Sequence, residues 1–267
     1  MFKKIKTTIL CIVLFLTLFS CAHYQKNVED MLPREGFVHL RKTLTVASCN
    51  NDHCISMNFN SSASGFVINK QHDGAFILTA AHFCEDSIPN STEGATAHST
   101  YKVRNLYGEE YDGVLLHYKQ DIDVCLMFVE SLTNDIIEVE LSPNKPIPGE
   151  KIFNIGAPLS IFGPDVVPIL EGRFNGDLGN RSFYSLPAAP GSSGSMIINE
   201  EGQLIGIVQA VYIRFNTISI SVTYEDLTNY IDTHVNKYIS YKNVMKDLGL
   251  KNIFIVPEPK ILGPAPY

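Results

Sequence analysis

The chain has 267 residues, 28 acidic side chains against 21 basic, a formal charge of −7 and no tryptophan. An acidic chain with no basic run and no interleaving of aromatic and basic residues argues against nucleic acid as a partner. Glycine, proline, β-branched residues, Phe and Tyr are plentiful. Short apolar runs alternate with turn residues, which is the pattern of an all-β protein, and no internal repeat or low-complexity tract interrupts it.

Lys3, Lys4 and Lys6 precede an uncharged, mostly apolar run, Thr7 to Phe19, that is short for a bilayer span. Residues 1–20 therefore read as an export signal, and disulfides become permissible. Leu18-Phe19-Ser20-Cys21 has the form of a bacterial lipoprotein cleavage box, with Cys21 as the acylated residue. An ordinary signal peptide cut near Ala22, or an uncleaved anchor, stays open. The lipoprotein reading puts the chain in the periplasm or cell envelope, held to the membrane by its lipid. Without the three leader lysines, 18 basic residues face 28 acidic ones, so the remainder carries about −10. Its roughly 245 residues suffice for one large or two modest domains.

Residues 21–37 are polar and read as a tether. Leu44 to Ala47 and Ile55 to Phe59 read as strands, joined by Cys49-Asn50-Asn51-Asp52-His53-Cys54. That loop holds metal-ligating types, but no second cluster completes four-coordination, so a local Cys49–Cys54 disulfide is preferred to a metal site. Gly65 to Asn69 and Ala75 to Leu78 form a hairpin turned at Asp73-Gly74. Its second strand runs into Thr79-Ala80-Ala81-His82. The two alanines are small enough to let another segment pack close to the histidine.

Asp121-Ile122-Asp123 opens the apolar strand Val124 to Val129. An acid at the boundary between polar loop and core can orient an imidazole. Asp123 fits that role better than Asp121, because choosing Asp121 would leave Asp123 as a second, unpaired buried charge. Farther on, Gly191-Ser192-Ser193-Gly194-Ser195 runs straight into the apolar Met196-Ile197-Ile198. Glycines on both sides of Ser193 let the backbone turn tightly and let a substrate carbonyl approach a nucleophilic serine. The amides of Gly191 and Ser193 would converge where an oxyanion forms.

Together, Leu78-Thr79-Ala80-Ala81-His82, Asp123-Val124-Cys125-Leu126-Met127 and Gly191-Ser192-Ser193-Gly194-Ser195 resemble the three motifs of trypsin-like (chymotrypsin-fold) serine peptidases, in the family's order. The style is closest to bacterial and phage exported members, such as glutamyl endopeptidases and the protease core of periplasmic heat-shock proteases. Asn154-Ile155-Gly156-Ala157-Pro158, Glu171-Gly172-Arg173 and Gly202 to Val208 add to the likeness, which covers residues 40 to 235.

The resemblance implies two packed six-stranded Greek-key β-barrels, 38–140 and 151–222, joined by the Pro-rich linker 141–150. A closing helix would follow at 223–243, with Leu227, Tyr230, Ile231, Val235 and Ile239 at helical spacing, and then an extended tail at 244–267. It implies a catalytic triad of His82, Asp123 and Ser193, an oxyanion hole of Gly191 and Ser193, and protein or peptide substrates, with no cofactor and no metal. The primary specificity pocket would be lined by Pro187, Gln209, Ala210 and Val211. None of these supplies a carboxylate for Lys or Arg, and Val211 narrows the opening, so small or medium apolar residues are expected there. Cys84 and Cys125 each lie two residues past a triad member, so the convergence of His82 and Asp123 would bring them into disulfide range; two buried free thiols are the alternative. The zymogen switch is missing in both halves: no Ile-Val-Gly-Gly-like start follows a basic residue, and Ser192 stands where an aspartate would. The alternative to an active peptidase is a peptidase-like binding lipoprotein that keeps the barrels; an esterase using the same triad is the remaining one.

Overall fold

A computed structural model describes residues 32–50, 53–86, 95–212, 215–247 and 260–261. Residues 1–20 and Cys21 lie outside the described residues, as do most of the tail and the side chain of Cys49.

The first barrel comprises β1 (Phe37–Asn50), β2 (His53–Gln71), β3 (Gly74–Thr79), the single helical turn α1 (Ala81–Cys84), β4 (Thr96–Asn105), β5 (Glu110–Lys119) and β6 (Val124–Glu130). Its strand order is β1-β2-β3-β6-β5-β4, and β4 pairs back onto β1, so six strands close on themselves. The core is what the alternating patterns require: Val38, Leu40, Val67, Ile77, Val103, Met127 and Val129 point inward and are buried. β3 is fully buried along its length, which explains why Ala75 to Leu78 reads as a continuous apolar run.

β1 and β2 are far longer than the short apolar strands 44–47 and 55–59. They pair without a register break from Phe37↔Phe66 to Asn50↔His53. The Asn/Ser run from 60 to 64 has no apolar alternation to mark it, and main-chain pairing carries it into the sheet.

The chain changes barrels over a few residues. Val139 N–H donates to Val67 O of the first barrel, whereas Ser142 N–H donates to Leu204 O and Leu204 N–H to Glu140 O of the second. The second sheet contains β7 (Lys151–Ile155), β8 (Ile169–Leu178), β9 (Arg181–Ser185), β10 (Met196–Ile198), β11 (Leu204–Ile207), β12 (Ala210–Tyr212) and β13 (Phe215–Val222). Its order is β11-β10-β7-β8-β9-β13-β12. The two edge strands are successive pieces of one bent segment. Val208 bonds toward the β10 side, through Ser195 O and Gly194 N–H, and Gln209 N–H bonds to Ile220 O on the β13 side. Seven short strands thus make six barrel segments around Ile152, Phe174, Tyr184, Ile197 and Ile205.

After β13, Thr223 caps a helix by accepting from Asp226 N–H (3.2 Å). The helix runs as α2 (Tyr224–Tyr230), one widened π turn (Ile231–Val235) and α3 (Asn236–Asp247). It leaves the second barrel and straps the first, with Tyr230 and Tyr238 hydroxyls donating to His117 O and Leu116 O of β5. Leu227, Tyr230, Ile231 and Val235 are buried as the periodicity indicates. The helix passes residue 243 because Lys242, 2% exposed, is pinned to Asp73 and lies over the Phe128 ring (3.8 Å), a contact that counting apolar residues does not register. A last strand, β14 (Lys260–Ile261), adds to β4. No helix among the described residues is long and apolar enough to cross a membrane.

Candidate active site

The pairing of β3 with β6 sets Thr79 opposite Cys125. His82 lies three residues past Thr79, and Asp123 two before Cys125, so two adjacent strands end at one place. His82 sits on α1, and its Nδ1 meets Asp123 Oδ2 at 2.9 Å and Oδ1 at 3.2 Å. The His82 main-chain N–H also donates to Asp123 Oδ1, at 2.8 Å. Asp123 itself has φ +52°, the left-handed region that Asp tolerates better than most residues. The turn before it is closed by Asp123 N–H to Gln120 O, 3.2 Å.

An imidazole whose Nδ1 faces a carboxylate keeps its proton there, which leaves the Nε2 lone pair available as a base. The hydrogen bond to Asp123 raises the His82 pKa above the ordinary 6.5; burial opposes this, and the charges of Asp123 and Glu85 reinforce it. Asp121 is elsewhere. Its side chain is 67% exposed and pairs with Lys119 at 3.4 Å.

Ser193 comes from the second barrel and is half-buried. Its carbonyl accepts from Ser64 N–H of β2 (2.8 Å), which ties the loop to the first barrel. Gly194, at φ +83°, packs so closely that a Cβ there would lie 2.2 Å from Thr79 Oγ1 and 2.3 Å from Ser64 O. The Gly191–Ser195 loop therefore presses on the strand end that leads to His82. Gly191 has φ +96°, and a Cβ on it would meet Ala157 O at 2.5 Å. Among the described residues, neither the Gly191 nor the Ser193 amide donates within the chain, and Ser193 Oγ makes no hydrogen bond to His82. In a site without substrate such contacts commonly tighten only on binding.

The comparisons with known proteins meet this geometry. A model of the family described as the trypsin-like peptidase domain matches residues 63–207, more than half of the chain. The chain belongs to the trypsin-like peptidase family. It is also 27% identical, over 203 residues, to a protein of Synechocystis sp. (strain ATCC 27184 / PCC 6803 / Kazusa) named "Putative serine protease HhoB". That match spans 73% of this chain and 44% of the relative, so the chain matches less than half of the relative's length.

Several residues that frame this trypsin-like site were not among the expected site residues. Ser64 uses its hydroxyl twice, donating to Gly191 O (2.8 Å) and accepting from Ala157 N–H (2.9 Å). Asn154 donates to Ser195 Oγ and Met196 O, both at 2.7 Å, and fixes the far end of the nucleophile loop. Ser192 is 1% exposed and accepts from Ala189 N–H at 3.3 Å, so the loop closes on itself at the position of the missing aspartate.

Of the expected pocket residues, Pro187 and Ala210 are exposed, and Val211 packs partly against the second core. The Gln209 side chain is 5% exposed. Its Nε2 donates to Ile122 O (2.6 Å) and Asp123 O (2.9 Å), while Oε1 accepts from Arg181 (2.8 Å). A buried amide has to satisfy all its polar atoms, and the nearest carbonyls belong to the Asp123 turn. The second barrel therefore holds the main chain of the acid that the first barrel supplies.

Cys84 and Cys125 are bonded, with S–S 2.00 Å and Cα–Cα 6.6 Å, directly beneath the His–Asp pair. Cys54 is disulfide-bonded, and the register sets Cys49 opposite it, although the Cys49 side chain lies outside the described residues. No group of three or more metal-ligating residues occurs among the described residues.

Proposed function

We propose that the chain is a serine endopeptidase, exported and lipid-anchored through Cys21, that cuts proteins or peptides. The observation that carries this reading is the His82 Nδ1–Asp123 contact beside a glycine-flanked Ser193 whose loop amides are unspent. Ser193 Oγ attacks the scissile carbonyl while His82 Nε2 takes its proton. The developing oxyanion is held by the amides of Gly191 and Ser193, and the tetrahedral intermediate collapses as His82 gives the proton to the leaving amine. Water then repeats the sequence on the acyl-enzyme. Asp123 holds the imidazole in the Nδ1–H tautomer and stabilises the imidazolium.

The second reading, a catalytically inactive binding protein, draws on the unformed Ser193–His82 hydrogen bond. A covalent serine probe separates the two. Labelling of the full chain that Ser193→Ala abolishes is the expected result; no labelling of the wild type overturns the enzyme reading.

Specificity for small or medium apolar residues before the cut rests on Val211 and on the absence of a carboxylate at Pro187, Gln209 and Ala210. Asp177, an acid of this barrel, is bound to Lys145 at 2.6 Å. A peptide library should show cleavage after Ala, Val or Leu, with each methylene altering rates roughly 10- to 200-fold. Efficient cleavage after Lys or Arg, with Ala and Val ignored, overturns the pocket assignment.

A further inference from the structure

The segment between β7 and β8, residues 156–168, leaves the second barrel and lies against the first. Ala157 N–H donates to Ser64 Oγ, Ser160 Oγ meets Ser62 Oγ, and Asp165 N–H donates to Leu106 O, each at 2.9 Å. Arg34 donates to Asp165 O, also at 2.9 Å. The same segment supports the loop that carries Ser193. Leu159 N–H donates to Pro190 O at 2.7 Å, and a Cβ on Gly191 would lie 2.5 Å from Ala157 O. Whatever frees the segment from the first barrel therefore loosens the backing of the Gly191 amide. Its backbone is also under strain: Leu159, Ser160 and Asp165 have φ of +53°, +56° and +61°. Side chains of this kind stay in the left-handed region only while surrounding contacts hold them there.

At the centre of this seam stands His39. Val38 and Leu40 point into the barrel core, so His39 points outward, in line with Phe37 and Arg41. Phe162 of the segment covers it. The Phe162 ring centroid lies 5.5 Å from Phe37 and 5.2 Å from His39, with the His39 plane only 12° away. His39 is 8% exposed, and neither ring nitrogen has a hydrogen-bond partner. An imidazole buried in this way is tolerated only while neutral.

The surrounding charges add to that penalty. Arg104 of β4 sits directly across from His39, Arg41 follows on β1, and Glu110 of β5 is bonded to both arginines. The adjoining stretch of β2, Ser62 to Ser64, is uncharged; the turn before β1 brings Arg34 and Glu35, and the segment brings only Asp165. Burial first, then Arg104 and Arg41, lower the His39 pKa from 6.5 to about 4.

We propose that His39 makes residues 157–165 an acid-released clamp: protonation of its ring expels Phe162, and the segment leaves the first barrel and withdraws its support from Gly191. Once uncovered, the imidazole regains the proton affinity of an ordinary histidine. The docked form therefore keeps its full stability above pH 6.5 and loses about tenfold per pH unit against the released form down to pH 4. Release does not depend on the role of Ser193. Its effect on catalysis rests on Ser193 being the nucleophile and on Gly191 lining the oxyanion hole.

Hydrogen exchange of the full chain, followed by mass spectrometry, compares the wild type with His39→Phe and His39→Gln at pH 7 and pH 5. At each pH the intrinsic exchange rate is common to all three, and two non-titrating variants guard against one that misfolds. From pH 7 to pH 5, protection of 157–165 in the wild type should fall about twentyfold relative to either variant, with β3 and β6 unchanged. Phe162→Ala should expose the segment already at pH 7 and remove the pH response. Equal protection in wild type and variants at pH 5 overturns the proposal. So does a loss spread evenly over the segment, β3 and β6, because His39 then titrates only when the whole chain unfolds. A covalent serine probe is read on the same samples. Wild-type labelling should drop more between pH 7 and pH 5 than labelling of His39→Phe; an equal drop, with the segment released, overturns the link to Gly191. If no sample is labelled, the nucleophile reading fails, and the exchange comparison alone decides the clamp.

Discussion

The two halves of the site are held in different ways. His82 and Asp123 belong to one barrel, on neighbouring strand ends, locked by two side-chain contacts, a main-chain hydrogen bond and the Cys84–Cys125 bridge below them. Ser193 belongs to the other barrel and meets that pair only through Ser64, the close approach of Gly194 and the general packing of the barrels. The His82–Asp123 contact is formed in this structure, and the Ser193–His82 contact is not. Preorganisation within a domain comes from strand pairing. Preorganisation between domains has to be built from individual polar links, of which Ser64 and Gln209 supply those nearest the site.

The sharpest way to break the preformed half is Asp123→Asn, which keeps the shape but loses the charge and the tautomer control. A fall in kcat of about 10⁴ is expected, with Asp121→Asn nearly neutral, measured on any peptide the wild type cuts. The reverse ranking would move the acid to Asp121. The same variant tests the electrostatics. His82 acts as a base only when neutral, and its raised pKa puts the acid limb of kcat/KM above pH 6.5. Replacing Asp123 removes the largest cause of that rise, so the residual activity of the variant should keep its acid limb at lower pH than the wild type.

A smaller effect is expected from the inter-barrel link. Gln209→Ala leaves Ile122 O, Asp123 O and Arg181 without their partner, a loss of roughly 1–3 kcal/mol in stability. Because the Asp123 turn is loosened rather than removed, kcat should drop about tenfold with KM little changed. Unchanged kcat with a large rise in KM would return Gln209 to the substrate pocket.

The mildest change in activity is expected from Cys84→Ser with Cys125→Ser. Three hydrogen bonds still hold His82 and Asp123 together, so activity at low temperature should persist. Stability should fall by roughly 2–4 kcal/mol, read from denaturant melts, because the bridge closes a loop of 41 residues. Loss of activity in a fully folded double variant would show that the bridge positions the pair.

The strands that later bear His82 and Asp123 were legible because burial leaves its mark on sequence. β3 and β6 are apolar throughout, and a polar residue at the end of such a run stands out. The glycines around Ser193 were legible because left-handed backbone and sub-3 Å approaches exclude any side chain. The stretch of β2 from 60 to 64 was not, since its Asn/Ser run joins the sheet through main-chain groups common to all residues.

By itself, then, the sequence determined the all-β class, the order of the motifs and the residue types that the chemistry requires, because these follow from local burial, turns and periodicity. It could not determine that Gln209 reaches across to the Asp123 turn, that Ser64 grips the glycine-flanked loop at Gly191 and Ser193, or that β2 keeps an open edge beside Ser193. Those facts depend on which segments from opposite ends of the chain become neighbours. A buried amide or hydroxyl bonds whatever polar group the packed barrels set before it, and only the tertiary structure decides which group that is.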